Sequence, residues 1–365
     1  MHIIFFTRSV NARDPRTGFV VEWLRMFGKF LDSHDDYLDI LTWQASGTID
    51  LPVRSSLYAL RSTSSEGTLT AFMRGVKVFF SRVPRCDAII IHQHPVYVIM
   101  AWPFVRLYRK KMYLWYVHKH VDIKLKIAVH LCDGVFTASQ ESFRLSSKTP
   151  LHIVGHGINS HLFAPVQKMA PTIPHSQIPV VSFGRISPSK KYEDLIEAMT
   201  LLTPSERARF RVELYGSPAL APDVLYHDTL QDMIAHSHLT QSIQLMGPLA
   251  HIQVAGVLSH AHIFVNLSCT GSLDKAVLEA MACGVLVITS NEAFIPLFKA
   301  IQYPYFVAPG DSRALADALL SAAAVNDESR RVWGTKLRNI VVEKHNLETT
   351  IDTMLTIIRS EINCV

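Results

Sequence analysis

The sequence predicts an α/β protein built as two doubly wound parallel-sheet domains with a cleft between them. Three observations point there. Short β-branched runs alternate with longer helical patterns almost throughout, the signature of βαβ units. At 365 residues the chain exceeds the length at which one hydrophobic core stays undivided. The alternation also breaks once, at APVQKMAPTIPHSQIP (164–179), where four prolines and the absence of either period mark a connector.

In the first half, strands are expected at HIIFFT (2–7), YLDILT (37–42), AIIIH (88–92), MYLWYV (112–117), GVFTAS (134–139) and HIVG (152–155), with helices such as FVVEWLRMFGKFL (19–31) and KLKIAVHLC (124–132) between them. Beyond the connector the strands are PVVSFG (179–184), RVELYG (211–216), SIQLMG (242–247), HIFVNLS (262–268) and VLVIT (285–289), and YEDLIEAMTLL (192–202) has a helical period. The final pattern, LETTIDTMLTIIRSEI (347–362), is helical and no strand follows it. Residues 62–65 read as a short polar loop.

Composition narrows the class. A hydrophobic share of 48% with 18% charged residues suits a globular protein, and a net charge of +5 is modest for this length. The five cysteines, Cys86, Cys132, Cys269, Cys283 and Cys364, are scattered without a C-x-x-C pair. That argues against a disulfide framework or thiolate zinc site and for a reducing compartment. The N-terminus runs directly into HIIFFT, which argues against a cleaved signal peptide. The most membrane-like stretch, AIIIHQHPVYVIMAWPFV (88–105), is broken by histidines, a glutamine and prolines, a poor spanning helix. A cytoplasmic protein is expected.

Ligands of open parallel sheets bind beyond the carboxyl ends of strands, so the segments after strands carry the chemistry. After 179–184 comes GRISPSKKYEDLIEAM, where Arg185 offers a planar fork and Lys190 a point charge, a pairing suited to a diphosphate. Taken alone, that loop is better explained by two ordinary solvated surface cations, which are common in loops. In TGSLDKAVLEAMACGVLVIT (270–289), Thr270, Gly271 and Ser272 sit where a helix start exposes backbone N–H groups to an anion. A plain Ser cap, with Asp274 complementing the dipole and a Lys275–Glu279 i,i+4 pair, is the alternative.

In combination these stretches resemble the retaining, nucleotide-sugar-dependent GT-B glycosyltransferases of the large group-1, family 4-like class, which includes bacterial lipopolysaccharide and phosphatidylinositol mannosyltransferases. The carrying segments are FGRISPSKKYEDLIEAM, MGPLAHIQVAGVLSHAHIFVNLS and LDKAVLEAMACGVLVITSN, with weaker ones at CDGVFTASQESFRL and IVGHGINSHLF. The resemblance implies an acceptor-side domain over 1–165, rejoined by the helix 347–365, and a donor domain over 166–346. It implies that Arg185 and Lys190 meet the donor diphosphate together with the helix start at Thr270, Gly271, Ser272 and Leu273, and that Glu279 binds the ribose hydroxyls. The family's first paired glutamate falls at position 271, where this chain has Gly271. Asp274 and Lys275 are then the nearby charges for the transferred sugar. His118 aligns with a histidine beside the reacting sugar, grouped with Arg185 and Lys190 as catalytic, and Gly18 with a small-residue donor loop. His156 stands where asparagine is more usual and has no assigned role.

The activity so implied is transfer of a sugar, with retention, from a nucleotide-diphosphate donor to a hydroxyl acceptor in glycolipid, lipopolysaccharide or other surface-glycan synthesis, without a cofactor or metal. A catalytically silent GT-B scaffold is the alternative that Gly271 favours. A metal-dependent hydrolase is the lesser one, resting on His92/His94 and His118/His120, each pair facing one side of a strand if extended, with Asp122 the nearest carboxylate. Between Arg106 and Lys126 seven Lys/Arg stand against one acid, preceded by Trp102 and Phe104 and interleaved with Tyr108, Tyr113, Trp115 and Tyr116. Such a surface could rest peripherally on the anionic inner face of a membrane and reach a lipid-linked acceptor, or MYLWYV could be a core strand beside a solvated helix face. No nucleic-acid motif accompanies the charge.

Overall fold

The computed structural model describes residues 1–14, 17–46, 51, 53–61, 66–165, 177–269 and 271–363. Most of the expected connector, the 62–65 loop, Thr270 and Cys364 lie outside the described residues. The chain forms two compact units, Met1–Asn159 with His345–Val365, and Ser160–Lys344.

The first unit holds strands β1 (His2–Val10), β2 (Tyr37–Ala45), β3 (Ser55–Arg61), β4 (Ala88–His92), β5 (Lys111–Trp115), β6 (Gly134–Thr137) and β7 (Leu151–Ile153). All pair in parallel, in the order β3-β2-β1-β4-β5-β6-β7. A parallel sheet needs cover on both faces, so its central strands are apolar throughout rather than alternating. Ile3, Ile4, Phe5 and Phe6 of β1 are all fully buried. Their alternation feeds two cores. Ile3 and Phe5 pack with Val20, Trp23 and Phe27 of helix Phe19–Asp32 and with Ile351, Met354 and Ile358 of helix Leu347–Asn363. Ile4 and Phe6 pack under helices Thr68–Arg82, Pro95–Leu107 and Ile123–Leu131. The last helix therefore completes the first unit's core, which is why its apolar period needs no following strand.

The second unit holds β8 (Ile178–Phe183), β9 (Phe210–Tyr215), β10 (Ile243–Gly247), β11 (Ile263–Asn266) and β12 (Leu286–Thr289), again all parallel, in the order β10-β9-β8-β11-β12. In both sheets the strand order reverses beside the first strand, between β1 and β4 and between β8 and β11. These are the topological switch points where the helices diverge and a crevice opens.

Strand β3 has no counterpart among the strands expected from the sequence. It is an edge strand whose residues are mostly half-exposed and whose ends are serine and arginine, so it lacks the apolar run of its neighbours. The stretch 88–105 resolves into β4, a turn and the helix Pro95–Leu107 with Pro103 inside it. Among the described residues no helix is long and apolar enough to cross a membrane.

Candidate functional site

Two loops flank the switch point of the second sheet. The loop after β8 begins at Gly184, where a Cβ would press to 2.9 Å from Lys190 Cε, so glycine lets the lysine fold back over the strand end. At Gly216, after β9, a Cβ would lie 1.9 Å from the Gly184 carbonyl oxygen; only glycine allows the two loops to approach this closely. A short turn, Pro188–Lys190, then sends Lys190 inward.

Lys190 Nζ donates to Asp274 Oδ2 at 2.8 Å. Asn266 Nδ2, at the end of β11, and Ser268 Oγ reach the same oxygen, each at 3.1 Å. The other oxygen, Oδ1, accepts from the Ala276 N–H at 3.1 Å and so caps helix Lys275–Ala282. Burial pushes the Asp274 carboxyl up, but the Lys190 charge and the hydrogen bonds from Lys190, Asn266 and Ala276 outweigh it and hold the pKa at about 2. Lys190 is the mirror case: burial lowers its pKa, Asp274 together with Tyr192 offsets that, and the net direction is upward.

One turn further along, Glu279 is 3% exposed. His251 Nε2 lies 2.8 Å from its Oε1, and Lys275 Nζ lies 3.2 Å from the same oxygen. Burial raises the Glu279 pKa, and Lys275 with His251 reverse the direction to a net lowering. The charges on this buried helix start are thus all paired, as burial demands.

The remaining expected residues fall as follows. Ser272 and Leu273 are buried, and Asn291 Nδ2 donates to the Ser272 carbonyl at 2.8 Å, fixing the loop. Gly271 has φ 65°, a left-handed conformation that disfavours any side chain there. Arg185 is 44% exposed and its Nε is 3.8 Å from Asp223 Oδ2; it stands near Lys190 without joining the Asp274 cluster. Asp274 and Lys275, expected to face the sugar, spend their charges on Lys190 and Glu279. Asn266, Ser268 and His251 are not among the residues the sequence singles out. Asn266 ends β11, Ser268 lies just past it and His251 is the first residue of the helix after β10, and those positions are the available signal.

In the first unit, Gly18 is buried at the start of helix Phe19–Asp32, after β1. His118 lies past the end of β5, exposed, with its ring 5.5 Å from Tyr116 in edge contact. Burial, then the charges of Arg8 and His118, lower the His94 pKa to about 4. Arg8, His94 and His118 therefore converge electrostatically around the carboxyl ends of β1, β4 and β5.

The H-x-H expectation is corrected. His92 closes β4 with its Nδ1 3.3 Å from Thr7 Oγ1, and Gln93 then takes φ 67°, so the pair does not continue along one strand. His118 and His120 lie beyond β5 in non-strand backbone. Among the described residues no group of three His, Cys, Asp or Glu is placed to hold a metal ion. Within the basic segment, Tyr113 and Trp115 are core residues of β5, while Arg106, Leu107, Arg109, Ile123, Lys124, Lys126 and Ile127 are exposed.

Two parallel-sheet units, the second with a buried polar cluster at its switch point, define the class: the chain has the GT-B glycosyltransferase fold. It superposes along nearly its full length on sucrose-phosphate synthase from Thermosynechococcus elongatus, with TM-score 0.77, 17% identity and 100% of each chain covered. A glycosyltransferase from Rickettsia africae gives TM-score 0.76 at 16% identity, covering 99% of this chain and 98% of that one. Anabaena HepE, solved in complex with UDP, gives 0.75 at 16%, covering 99% and 100%. Residues 165–339 match the family Glycosyl transferases group 1. In sequence, 70 residues are 33% identical to a phosphatidylinositol N-acetylglucosaminyltransferase chain of Arabidopsis thaliana, 19% of this chain and 16% of that protein. The human counterpart matches at 34% over 67 residues, 18% of this chain and 14% of that protein. The matched segments thus span about a sixth of those relatives' lengths.

Proposed function

We propose that the chain transfers a sugar from a nucleoside-diphosphate donor to a hydroxyl acceptor with retention of configuration. The carrying observation is the Lys190–Asp274 and Glu279–His251–Lys275 cluster at the switch point of a group-1 glycosyltransferase domain. The bond from the anomeric carbon to the diphosphate oxygen breaks, and the electron pair leaves with the diphosphate. Arg185, Lys190 and the backbone amides at the helix start meet that charge, fixed donors that need no metal. The departing phosphate oxygen takes the acceptor's hydroxyl proton as the new bond forms on the same face, so no protein base is required. Asp274 anchors Lys190, Glu279 accepts from the ribose hydroxyls, and His118 orients the sugar.

The acceptor we propose is a glycolipid, lipid-linked glycan or other surface-glycan precursor. Support comes from the phosphatidylinositol N-acetylglucosaminyltransferase relatives and from the surface of helix Ile123–Leu131. There Ile123 and Ile127 stand exposed one turn apart, with Lys124 and Lys126 beside them. This suits a cytoplasmic protein resting on an anionic leaflet. Exchanging Ile123 and Ile127 for Glu is expected to abolish binding to vesicles rich in phosphatidylglycerol; undiminished binding would remove the membrane from the proposal.

The direct test is a thermal-shift screen against nucleotide sugars, since a bound donor raises the melting temperature by mass action. A hit followed by donor consumption supports the enzyme. A hit without transfer or donor hydrolysis favours the silent scaffold, the reading to which Gly271 and the Asp274-paired Lys190 lend weight.

A further inference from the structure

We infer that His251 is a positioning residue for donor recognition: its imidazole fixes the Glu279 carboxylate so that it meets the vicinal hydroxyls of a ribose. This rests on the nucleoside-diphosphate reading above and goes beyond it by naming what sets the selectivity for ribose. His251 opens helix His251–His260, in the segment after β10, so it sits at the carboxyl end of the sheet where ligands bind. The residue is 7% exposed, and its ring packs against the fully buried Phe163 at 5.5 Å and 62°, which sets the plane of the imidazole. Nε2 is thereby held 2.8 Å from Glu279 Oε1.

Lys275 already neutralises Glu279 from the same helix, at 3.2 Å on the same oxygen. A second buried partner on Oε1 is not needed for charge. What it adds is direction. A glutamate side chain has several rotatable bonds, and fixing them before a ligand arrives removes an ordering cost from binding. With Oε1 shared by His251 and Lys275, the proposed ribose contact falls to Oε2, and a carboxylate accepts well from two neighbouring hydroxyls.

The experiment titrates UDP and GDP, each with its 2′-deoxy and 3′-deoxy analogue, into the full chain and variants by isothermal calorimetry. The parent is expected to prefer the ribonucleotide by roughly tenfold for each hydroxyl bond lost. His251→Leu should bring that ratio close to one, and His251→Gln, whose amide nitrogen can stand where Nε2 stood, should restore most of it. His251→Asn is too short to reach Glu279 and should behave like the leucine variant, so the Gln/Asn pair decides the matter even if leucine impairs folding. Lys190→Ala should weaken ribo- and deoxyribonucleotides alike and leave the ratio unchanged. A preference that survives in both His251→Leu and His251→Asn overturns the inference while the donor reading stands. A parent that binds UDP or GDP without any ribose preference also overturns it. Failure of the parent to bind either nucleotide overturns the donor reading and the inference together.

Discussion

Replacing Asp274 by Asn isolates the charge on which the second unit's switch point depends. Asparagine is as good an N-cap as aspartate, so the helix Lys275–Ala282 keeps its start. What is lost is the carboxylate opposite Lys190. The fall of the Asp274 pKa from 3.8 to about 2 corresponds to roughly 2 kcal/mol of folded-state stability. With the amide oxygen kept on the Ala276 N–H, the amide nitrogen faces the Lys190 and Asn266 donors and cannot accept from them, so the larger cost of removing one partner from a buried pair, about 3–5 kcal/mol, is expected at neutral pH. Because the folded pKa lies below the unfolded one, the contribution is complete above about pH 4 and fades as pH falls toward 2. Urea unfolding of the full chain at pH 7 should therefore show the midpoint moved down by about 1–2 M. The gap to the parent should stay constant from pH 7 to 5 and narrow below pH 4. An unchanged midpoint at pH 7, or a gap that persists undiminished in acid, would refute the assigned ion pair.

Two further substitutions probe the frame around the site. Gly216→Ala places a methyl 1.9 Å from the Gly184 carbonyl oxygen, so the loops after β8 and β9 must separate; nucleotide binding should fall at least tenfold, measured by calorimetry, with the far-ultraviolet dichroism retained. Ile351→Ala empties a fully buried position where the C-terminal helix meets the first unit's core and should cost about 2–5 kcal/mol in urea unfolding, with donor binding to the second unit preserved.

The alternation of strands and helices was legible because parallel sheets bury their central strands on both faces, giving uninterrupted runs such as Ile3 to Phe6 and Ala88 to Ile91. Strand β3 escaped because an edge strand of half-exposed residues has no such run. Lys190 and Glu279 could be singled out from their places after a strand and on the following helix. The Lys275–Glu279 pair at i,i+4 was legible as well, but the partners Asp274 of Lys190 and His251 of Glu279 were not, because those pairings join residues 84 and 28 positions apart. Only the fold brings the turn after β8, the end of β11 and the start of the helix after β10 to one place. The same holds for Asp274. Local spacing marked it as a cap and a candidate sugar contact, whereas the packing commits its carboxylate to Lys190, Asn266 and Ser268 as well. The histidine pairs show the converse: their spacing was informative only for an extended chain, and the positive φ at Gln93 ends that condition.

The most direct measurement is calorimetric titration of the nucleotide sugar identified by thermal shift into the parent, Arg185→Ala and Lys190→Ala, with melting curves confirming that each variant is folded. If the switch point between β8 and β11 holds the donor diphosphate, each alanine variant loses at least tenfold in donor affinity and sugar transfer falls with it. Parent-like affinity and turnover in both variants would place the donor, and the chemistry, somewhere else on the molecule.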